Sequence, residues 1–432
     1  MPPAAIELAT AEAQLDNGLA VVVAPNHAQP LVSAMITFRA GAFVEDESQS
    51  GYSHLLEHMI FQGSSELPDA SEFRQRLRAL GVLANGQTGV DYVRYYYTLP
   101  SENLEAALEL FAQSIRAPQL DTAQLKKEIK VVLSEFDLRD GDHKDLQMQR
   151  VSELLFERYP NRADPLGERD VVEQASADML RELHATYIIP NNAQLILSGD
   201  VEPGVALQLA KRFFGDWSRA SDPFAMERVP EHPKLAADVS EGMTATVSSS
   251  RLVVAYQGPN RSQDFRANVA ADLLAAVSVL PKQTFRELVS PPEVTSAAIF
   301  HYASSHADVI SVELDIGQGF ESTALDWLGE MRARFAASVS EEQLRVAKGT
   351  IWQRRLSATD ADLALASQLS SDWALAPASG SPSYLDTLYD LQPKDLVDLI
   401  ANYMSRRHRA AVLLTDPEHK LSGLGSALEQ VW

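Results

Sequence analysis

Residues 51–59 read Gly-Tyr-Ser-His-Leu-Leu-Glu-His-Met, and this stretch predicts a helix that carries metal ligands. Side chains four positions apart lie one turn above each other on a helix, so His54 and His58 can converge on a single ion. Glu57 lies on the adjoining edge of the same helix. The other faces of the helix are apolar and would anchor it in a hydrophobic core.

A zinc site on this helix needs a third protein ligand and an open position for a water whose pKa falls towards neutrality. Because the chain has no cysteine, a carboxylate is the favoured third ligand. The predicted helix 121–140 presents Glu128 and Glu135, which lie seven residues apart and therefore on one face. From the residues alone, either glutamate could bind the ion while the other supports it.

The remaining histidines show no comparable pairing, and we interpret them as surface or structural residues. They are His27, His143, His184, His232, His301, His306, His408 and His419. A chain with 10 histidines can also contain His-x-x-Glu-His by chance, so the motif alone does not establish a metal site.

Two stretches of the chain repeat the same order of predicted elements. Residues 178–217 run as a helical pattern, an apolar strand at 193–197, an aspartate, a second helical pattern and a tryptophan. Residues 395–432 repeat this order with a strand at 410–414, and thirteen residues separate the tyrosine from the aspartate in both copies. Internal duplication explains the repeat economically. Chance similarity of generic helix-strand-helix units is the alternative.

The length of 432 residues exceeds what one core usually organises and predicts two domains. Strand and helix patterns mix in the first half without the alternation of a doubly wound sheet. We therefore expect an α+β fold of two homologous α/β sandwich domains related by internal duplication. The predicted domains are 1–220, with the metal site, and 237–432, without one, joined by a proline-containing linker at 221–236.

The formal net charge of −22 argues against nucleic acid and anionic membranes as partners, because phosphates would be repelled. Acidic residues that keep the surface solvated are the simplest explanation, and a cavity that prefers basic peptides is the alternative. No apolar stretch reaches the roughly 20 residues that cross a bilayer, so we expect a soluble protein without a membrane span. Residues 1–16 show no export signal. The compartment stays open, with bacterial periplasm or cytoplasm favoured over the mitochondrial matrix.

The order His-x-x-Glu-His inverts the common zinc-protease motif and resembles the pitrilysin/insulinase family, in particular the mitochondrial processing peptidase beta subunit and bacterial heterodimeric zinc peptidases. That family places its third ligand, a glutamate, about seventy-six residues beyond the second histidine, and Glu135 lies at that distance from His58. The resemblance implies that His54, His58 and Glu135 bind one Zn²⁺ ion. It also implies that Glu57 is the general base and that Glu128 is a supporting acidic residue.

Further segments resemble the family in order along most of the chain. They are 15–19, 40–42 with Glu45, 165–167 and 191–200. Asn85-Gly86-Gln87-Thr88 is similar to the family's Asn-Ala-x-Thr strand that pairs with substrate, which implies that these four residues bind substrate. Gly86 and Val93 depart from the usual alanine and threonine.

In the family, the second half supplies an arginine and a tyrosine, seven residues apart, that orient substrate and stabilise the tetrahedral intermediate. Val289 and Ser296 occupy those positions here, and neither replaces a guanidinium–phenol pair at an oxyanion. The resemblance therefore implies a heterodimer, or a dimer of heterodimers, whose homologous partner carries the pair. Arg286 is the alternative within this chain. The second half's counterpart of the zinc helix lacks histidines, so no second metal site is expected.

Together, the residues and the resemblance predict a zinc metalloendopeptidase that hydrolyses unstructured peptides inside a chamber. Glu57 would take a proton from the attacking water and return it to the leaving amine. The peptide would add as a strand to the sheet edge at 85–88. A non-catalytic structural subunit of a larger assembly is the main alternative, and a metal hydrolase with a different substrate is the third.

Overall fold

The computed structural model describes residues 10–156, 164–225, 232–261, 263–280, 293–305, 308–359, 361–375 and 383–419. These residues fold into two compact units, and each unit is a mixed α/β structure with one sheet. The first unit takes the described parts of 1–137, 163–230 and 355–375, and the second takes the described parts of 138–162, 231–354 and 376–432. The expected mixture of sheet and helices in each half of the fold is confirmed.

The strands of the first unit are β1 (Ala11–Gln14), β2 (Ala20–Pro25), β3 (Leu31–Phe38), β4 (Leu83–Thr88), β5 (Val93–Pro100) and β6 (Ala193–Gly199). Those of the second unit are β7 (Val239–Thr244), β8 (Ser250–Gln257), β9 (Val294–Tyr302), β10 (Val309–Ile316) and β11 (Arg409–Thr415).

The α-helices of the described residues are α1 (Tyr52–Ile60), α2 (Ala70–Ala79), α3 (Leu104–Arg116), α4 (Thr122–Asp140), α5 (His143–Leu155), α6 (Arg169–Glu173), α7 (Ala177–Tyr187), α8 (Pro203–Phe214), α9 (Phe265–Ser278), α10 (Glu321–Ser338), α11 (Glu341–Ala358), α12 (Asp362–Ala374), α13 (Tyr384–Asp390) and α14 (Pro393–Leu399). A π-helical segment, Ile400–Ser405, follows α14. Within the part of the chain that the structure describes, no helix combines the length and apolar content needed to cross a membrane.

The sheet of the first unit has the strand order β1-β2-β6-β3-β5-β4. One face carries the main core, where Ile36 and Leu195 pack with helices that include α1 and α3. The opposite face is covered by α12, whose Ala366 packs against Met35 and Ile196. Because both faces are covered, the central strands β3 and β6 read as nearly continuous apolar runs.

The sheet of the second unit has the order β7-β11-β8-β10-β9. Leu252 and Leu413 lie on the face that packs against α9 and α14. The helix α5 covers the opposite face, where Val151 packs against Val253 and Val412. The helices α5 and α12 therefore cover equivalent faces of the two sheets, although α5 lies early in the chain and α12 lies late.

Five strands have the same order and relative directions in the two sheets. The series β2, β6, β3, β5, β4 corresponds to β7, β11, β8, β10, β9. The first pair of each series is parallel, and the following pairs are antiparallel. In both units a helix follows the central strand and contacts the last strand of the series, as α1 contacts β4 and α9 contacts β9. This arrangement positions the site described next.

Candidate metal centre

The helix α1 is fixed at its N-terminus by a buried carboxylate from an earlier segment. Glu45 accepts hydrogen bonds from the backbone N–H groups of Gly51, at 2.8 Å, and Ser53, at 2.6 Å. These donors have no partner within the helix, so the carboxylate caps them. Burial raises the pKa of Glu45 to about 7, although the hydrogen bonds oppose that rise. The apolar side of α1 is fully buried in the core, and the helix is therefore held in place at its end and along its length.

The side chains of His54, His58 and Glu135 converge at one place. Each offers a ligand atom, and these atoms lie within 4.8 Å of one another. The Nε2 atom of His54 lies 3.5 Å from one Glu135 oxygen, and the Nε2 atom of His58 lies 3.4 Å from the other. These separations exceed normal hydrogen-bond lengths. They match the roughly 3.4 Å between two ligands that are each about 2.1 Å from one tetrahedral ion.

The helix α4 carries both glutamates that the sequence left interchangeable, and the geometry separates them. Glu135 faces the Nε2 atoms of both histidines. Glu128 lies two turns earlier on the same helix. Its Oε2 atom is 3.6 Å from Nδ1 of His58, and the residue is almost fully buried. The far nitrogen of a metal-binding imidazole is the usual place for an orienting carboxylate.

Glu57 lies between α1 and the end strand β4, with 9% of its surface exposed. The hydroxyl of Thr88 donates to its Oε2 atom at 2.6 Å. A Cβ atom at Gly86 would lie 2.7 Å from Oε1 of the same carboxylate. Burial raises the pKa of the Glu57 carboxyl, and the hydrogen bond from Thr88 opposes that rise. This carboxylate is thus close-packed against β4 and next to the histidines.

The two histidines differ in their electrostatic surroundings. Burial, together with the neighbouring His58, lowers the pKa of His54 to about 4, so this ring is neutral at pH 7. Burial also lowers the pKa of His58, but Glu128, Glu135 and Glu57 outweigh that effect and leave this pKa above its usual value. Three carboxylates around one imidazole give the site a negative environment, which favours a bound cation.

The four residues predicted to bind substrate all lie on β4. Among the described strands, β4 pairs with β5 alone and ends the sheet. Asn85 and Gln87 are exposed, whereas Gly86 and Thr88 are turned towards α1 and are partly buried. Of the two residues at the positions of the family's arginine–tyrosine pair, Ser296 lies exposed on β9. Val289 lies outside the described residues, as does Arg286.

Two glutamines extend the site and were missed from the sequence. Gln124 donates from Nε2 to Glu128 at 2.8 Å and to Oε1 of Gln62 at 3.0 Å. Gln62 in turn accepts from Arg74 at 2.7 Å and donates to the backbone carbonyl of His58 at 3.2 Å. The spacing was an available signal, because Gln124 precedes Glu128 by four residues and Gln62 follows His58 by four.

Two family descriptions match the chain. Residues 20–165 match the model described as insulinase, peptidase family M16, and residues 174–349 match the model described as the M16 inactive domain. Together they cover most of the chain, and the first contains the whole candidate metal centre. The chain belongs to peptidase family M16, the insulinase/pitrilysin family of zinc proteases and their relatives.

Among curated relatives, the zinc protease PqqE of Helicobacter pylori is 28% identical over 296 residues, which are 66% of this chain and 65% of that protein. Cytochrome b-c1 complex subunit 1 of Bos taurus is 27% identical over 218 residues, 50% of this chain and 45% of that protein. The chain thus spans less than two thirds of these relatives.

Among solved structures, the first half of the periplasmic protease PqqL from Escherichia coli matches with a TM-score of 0.79 at 18% identity, covering 98% of this chain and 96% of that one. This likeness shows that the two chains share a fold.

Proposed function

We propose that the chain is a zinc-dependent endopeptidase subunit in which His54, His58 and Glu135 hold one Zn²⁺ ion. The observation that carries this proposal is the approach of both Nε2 atoms to the Glu135 carboxylate, at 3.5 and 3.4 Å. Two imidazole nitrogens and a carboxylate, with a fourth position open, are the donor set of several catalytic zinc sites. Similarity to the zinc protease of Helicobacter pylori supports the same assignment.

The reaction is hydrolysis of a peptide bond. A zinc ion, when bound, supplies a Lewis acid that polarises the scissile carbonyl and makes water more acidic. Glu57 takes a proton from the attacking water and later donates it to the leaving amine. Burial supports this role, because it raises the pKa of the Glu57 carboxyl and makes its carboxylate more basic. Glu128 orients the ring of His58 from the Nδ1 side.

Substrate binds as an extended strand along the free edge of β4, through 85–88. The exposure of Asn85 and Gln87 supports this role, because both side chains are accessible beside that edge. An added strand forms its backbone hydrogen bonds with β4 whatever its side chains are. We therefore expect a broad sequence preference and a requirement for unstructured substrates. The net charge of −22 favours basic peptides among them.

A homologous subunit supplies the arginine and tyrosine that this chain lacks, in a heterodimer or a dimer of heterodimers that encloses the chamber. Ser296, at one of the two corresponding positions, has neither a guanidinium nor a phenol group. The match to the first half of the periplasmic protease from Escherichia coli supports the need for a second half. The periplasmic location of that protease also favours a bacterial periplasmic location over a mitochondrial one.

The two halves of the chain arose by internal duplication, with domains at 1–220 and 237–432 and a linker at 221–236. The common order and directions of five strands support this history. The second domain holds no metal in this proposal, since its equivalent helix α9 carries no histidine.

A non-catalytic structural subunit is the second candidate function. Similarity to the bovine cytochrome b-c1 complex subunit over half of this chain favours it. The convergence of His54, His58 and Glu135 beside Glu57 favours the peptidase, because a structural subunit requires no such ligand set.

Zinc analysis and peptide hydrolysis by the complex purified from its native source test the proposal. Glu57→Gln keeps the size of the side chain but removes the base, so the variant should retain one zinc ion per chain. Its kcat should fall by about 10²- to 10⁴-fold. Glu72→Gln, an exposed glutamate on α2, is the matched control and should keep full activity.

Three results would count against the proposal. A complex without zinc and without hydrolysis would favour the structural subunit. A zinc-containing complex that cleaves no unstructured peptide would favour a different substrate. A fully active Glu57→Gln variant would remove Glu57 from the chemistry.

A further inference from the structure

We infer that Thr88 is a positioning residue for the Glu57 carboxylate and that glycine at position 86 provides the space this carboxylate occupies. The inference rests on the proposed function, since it concerns the general base. It assigns to two residues of β4 a role towards α1 instead of direct contact with the peptide.

The alternation of side chains along β4 divides the strand into two pairs. Successive residues of a strand point to opposite sides, so Gly86 and Thr88 share one side and Asn85 and Gln87 share the other. The exposure follows this division, because Asn85 and Gln87 are exposed while the other two are partly buried. Only the first pair therefore faces the helix that carries Glu57.

The hydroxyl of Thr88 fixes one oxygen of the carboxylate. Its hydrogen bond to Oε2 of Glu57 is 2.6 Å long, the length of a strong bond between a hydroxyl and a charged acceptor. A glutamate side chain can rotate about three bonds, and an anchored Oε2 restricts that rotation. Because the two carboxylate oxygens are rigidly joined, the anchor also limits where Oε1 points. A base held in one orientation reacts faster than one that must first find it.

Gly86 has no side chain where the carboxylate lies. A Cβ atom there would be 2.7 Å from Oε1 and Cγ of Glu57 and 2.8 Å from its carboxyl carbon, well inside van der Waals contact. The backbone of Gly86 is not in the left-handed region, so the need for glycine is one of space. The family that this chain resembles usually has alanine at this position, but here a Cβ atom fits only if the Glu57 side chain moves.

Thr88→Val tests the hydrogen bond, because valine has nearly the same shape without the donor. We expect kcat to fall by about tenfold or more, the effect of losing one hydrogen bond to a charged group. KM and zinc affinity should stay within about twofold of wild type. Thr88→Ser, which keeps the hydroxyl, should restore most of the activity.

The matched control is Thr98→Val on β5, which removes a hydroxyl that bonds to Ser33 at 3.0 Å instead of to Glu57. It should leave kcat unchanged. Equal kcat values for Thr88→Val and Thr98→Val, or no recovery with Thr88→Ser, would overturn the positioning role.

Gly86→Ala tests whether the Glu57 carboxylate needs the space at position 86. The quantity measured is the Tm of the metal-free protein. The variant should lower Tm when Glu57 is present, because the new methyl group collides with the carboxylate. In the Glu57→Ala background the collision is gone, so the same change should lower Tm little or not at all. Gly89→Ala, whose Cβ would make only an ordinary contact with Tyr92 at 3.4 Å, is the matched control.

A drop in Tm that is equal in both backgrounds would overturn the role of Gly86. The two levels of failure are distinguishable. If wild type cleaves no peptide, the proposed function fails. If wild type is active while Thr88→Val behaves like Thr98→Val, the inference alone fails.

Discussion

The buried histidines near α1 in the first unit and near α9 in the second differ in how they contact carboxylates. Between α1 and its neighbours, the Nε2 atoms of His54 and His58 stay 3.4 to 3.5 Å from the Glu135 carboxylate, beyond good hydrogen-bond length. Between α9 and β9, both nitrogens of His301 contact carboxylates directly. The Nδ1 atom lies 2.7 Å from Asp272, and the Nε2 atom lies 3.2 Å from Asp308.

The cluster in the second unit is closed by protein groups. Asp272 also accepts from the Tyr384 hydroxyl at 2.8 Å, and Asp308 also accepts from the backbone N–H of Ser304 at 2.6 Å. Buried charges are tolerated when they are paired and hydrogen-bonded in this way. His301 therefore offers no free nitrogen to a metal ion.

The same position in the fold can therefore hold a cluster whose charges are paired by protein groups or a set of side chains arranged as metal ligands would be. In the second unit, the imidazole itself serves as the cation between two carboxylates. In the first unit, the two imidazoles and the carboxylate are spaced as the ligands of one tetrahedral ion would be. We therefore expect the first site to depend on metal and the second to depend on proton uptake.

Loss of a proposed zinc ligand in the first unit should have the strongest effect. His58→Ala removes one of the two imidazoles that we propose as ligands, so the zinc content should fall from one ion per chain to nearly none, and the rate of hydrolysis should fall with it. Elemental analysis of the purified complex measures this. His27→Ala, a solvent-exposed histidine paired with Asp200, is the control and should keep its zinc. Normal zinc content in the His58→Ala variant would contradict the assignment of this ligand.

A second, smaller effect should follow from removing the buried histidine of the second unit. His301→Ala leaves Asp272 and Asp308 without their cation, and the free energy of unfolding should fall by about 3 kcal/mol. Urea denaturation measures this change, and zinc content should not alter. The exposed His27→Ala should change the free energy of unfolding little. Equal losses in the two variants would show that the buried pairing contributes nothing.

A weaker effect should appear in how the stability of the second unit depends on pH. Burial lowers the pKa of His301, but Asp272 and Asp308 outweigh it and raise the pKa to about 9, above the usual value of 6.5. Stability from the charged ring is thus fully present below about pH 6.5 and is lost as pH rises through about 9.

Comparison with His301→Gln, which does not titrate, isolates this contribution. The difference in the free energy of unfolding between the two proteins should shrink by roughly 2.5 kcal/mol across that window. A constant difference would mean that folding does not raise the pKa of His301.

The sequence predicted the local parts of the site well, because they depend on short-range patterns. The helix expected from the stretch 51–59 is α1, Tyr52–Ile60, and the one expected at 121–140 is α4, Thr122–Asp140. Spacing of four and seven residues sets which side chains share a helix face, whatever the rest of the chain does. The ligand-bearing faces could therefore be read directly.

The sequence could not show contacts between distant segments. That Glu45 caps α1 depends on a hydrogen bond across a turn, and the pairing of Asp272 with His301 depends on a helix meeting a strand. The placement of α12 on the first sheet joins residues more than three hundred positions apart, as between Thr37 and Ser370. Apolar strands reveal that both faces are covered but not which helix covers them.

The most direct test of the proposed metal centre is the position of zinc in crystals of the complex, from anomalous scattering at the zinc edge. We expect one peak bonded to Nε2 of His54, Nε2 of His58 and a carboxylate oxygen of Glu135, at about 2.0 to 2.2 Å. Zinc bound elsewhere, or bound without Glu135, would contradict the proposed metal centre.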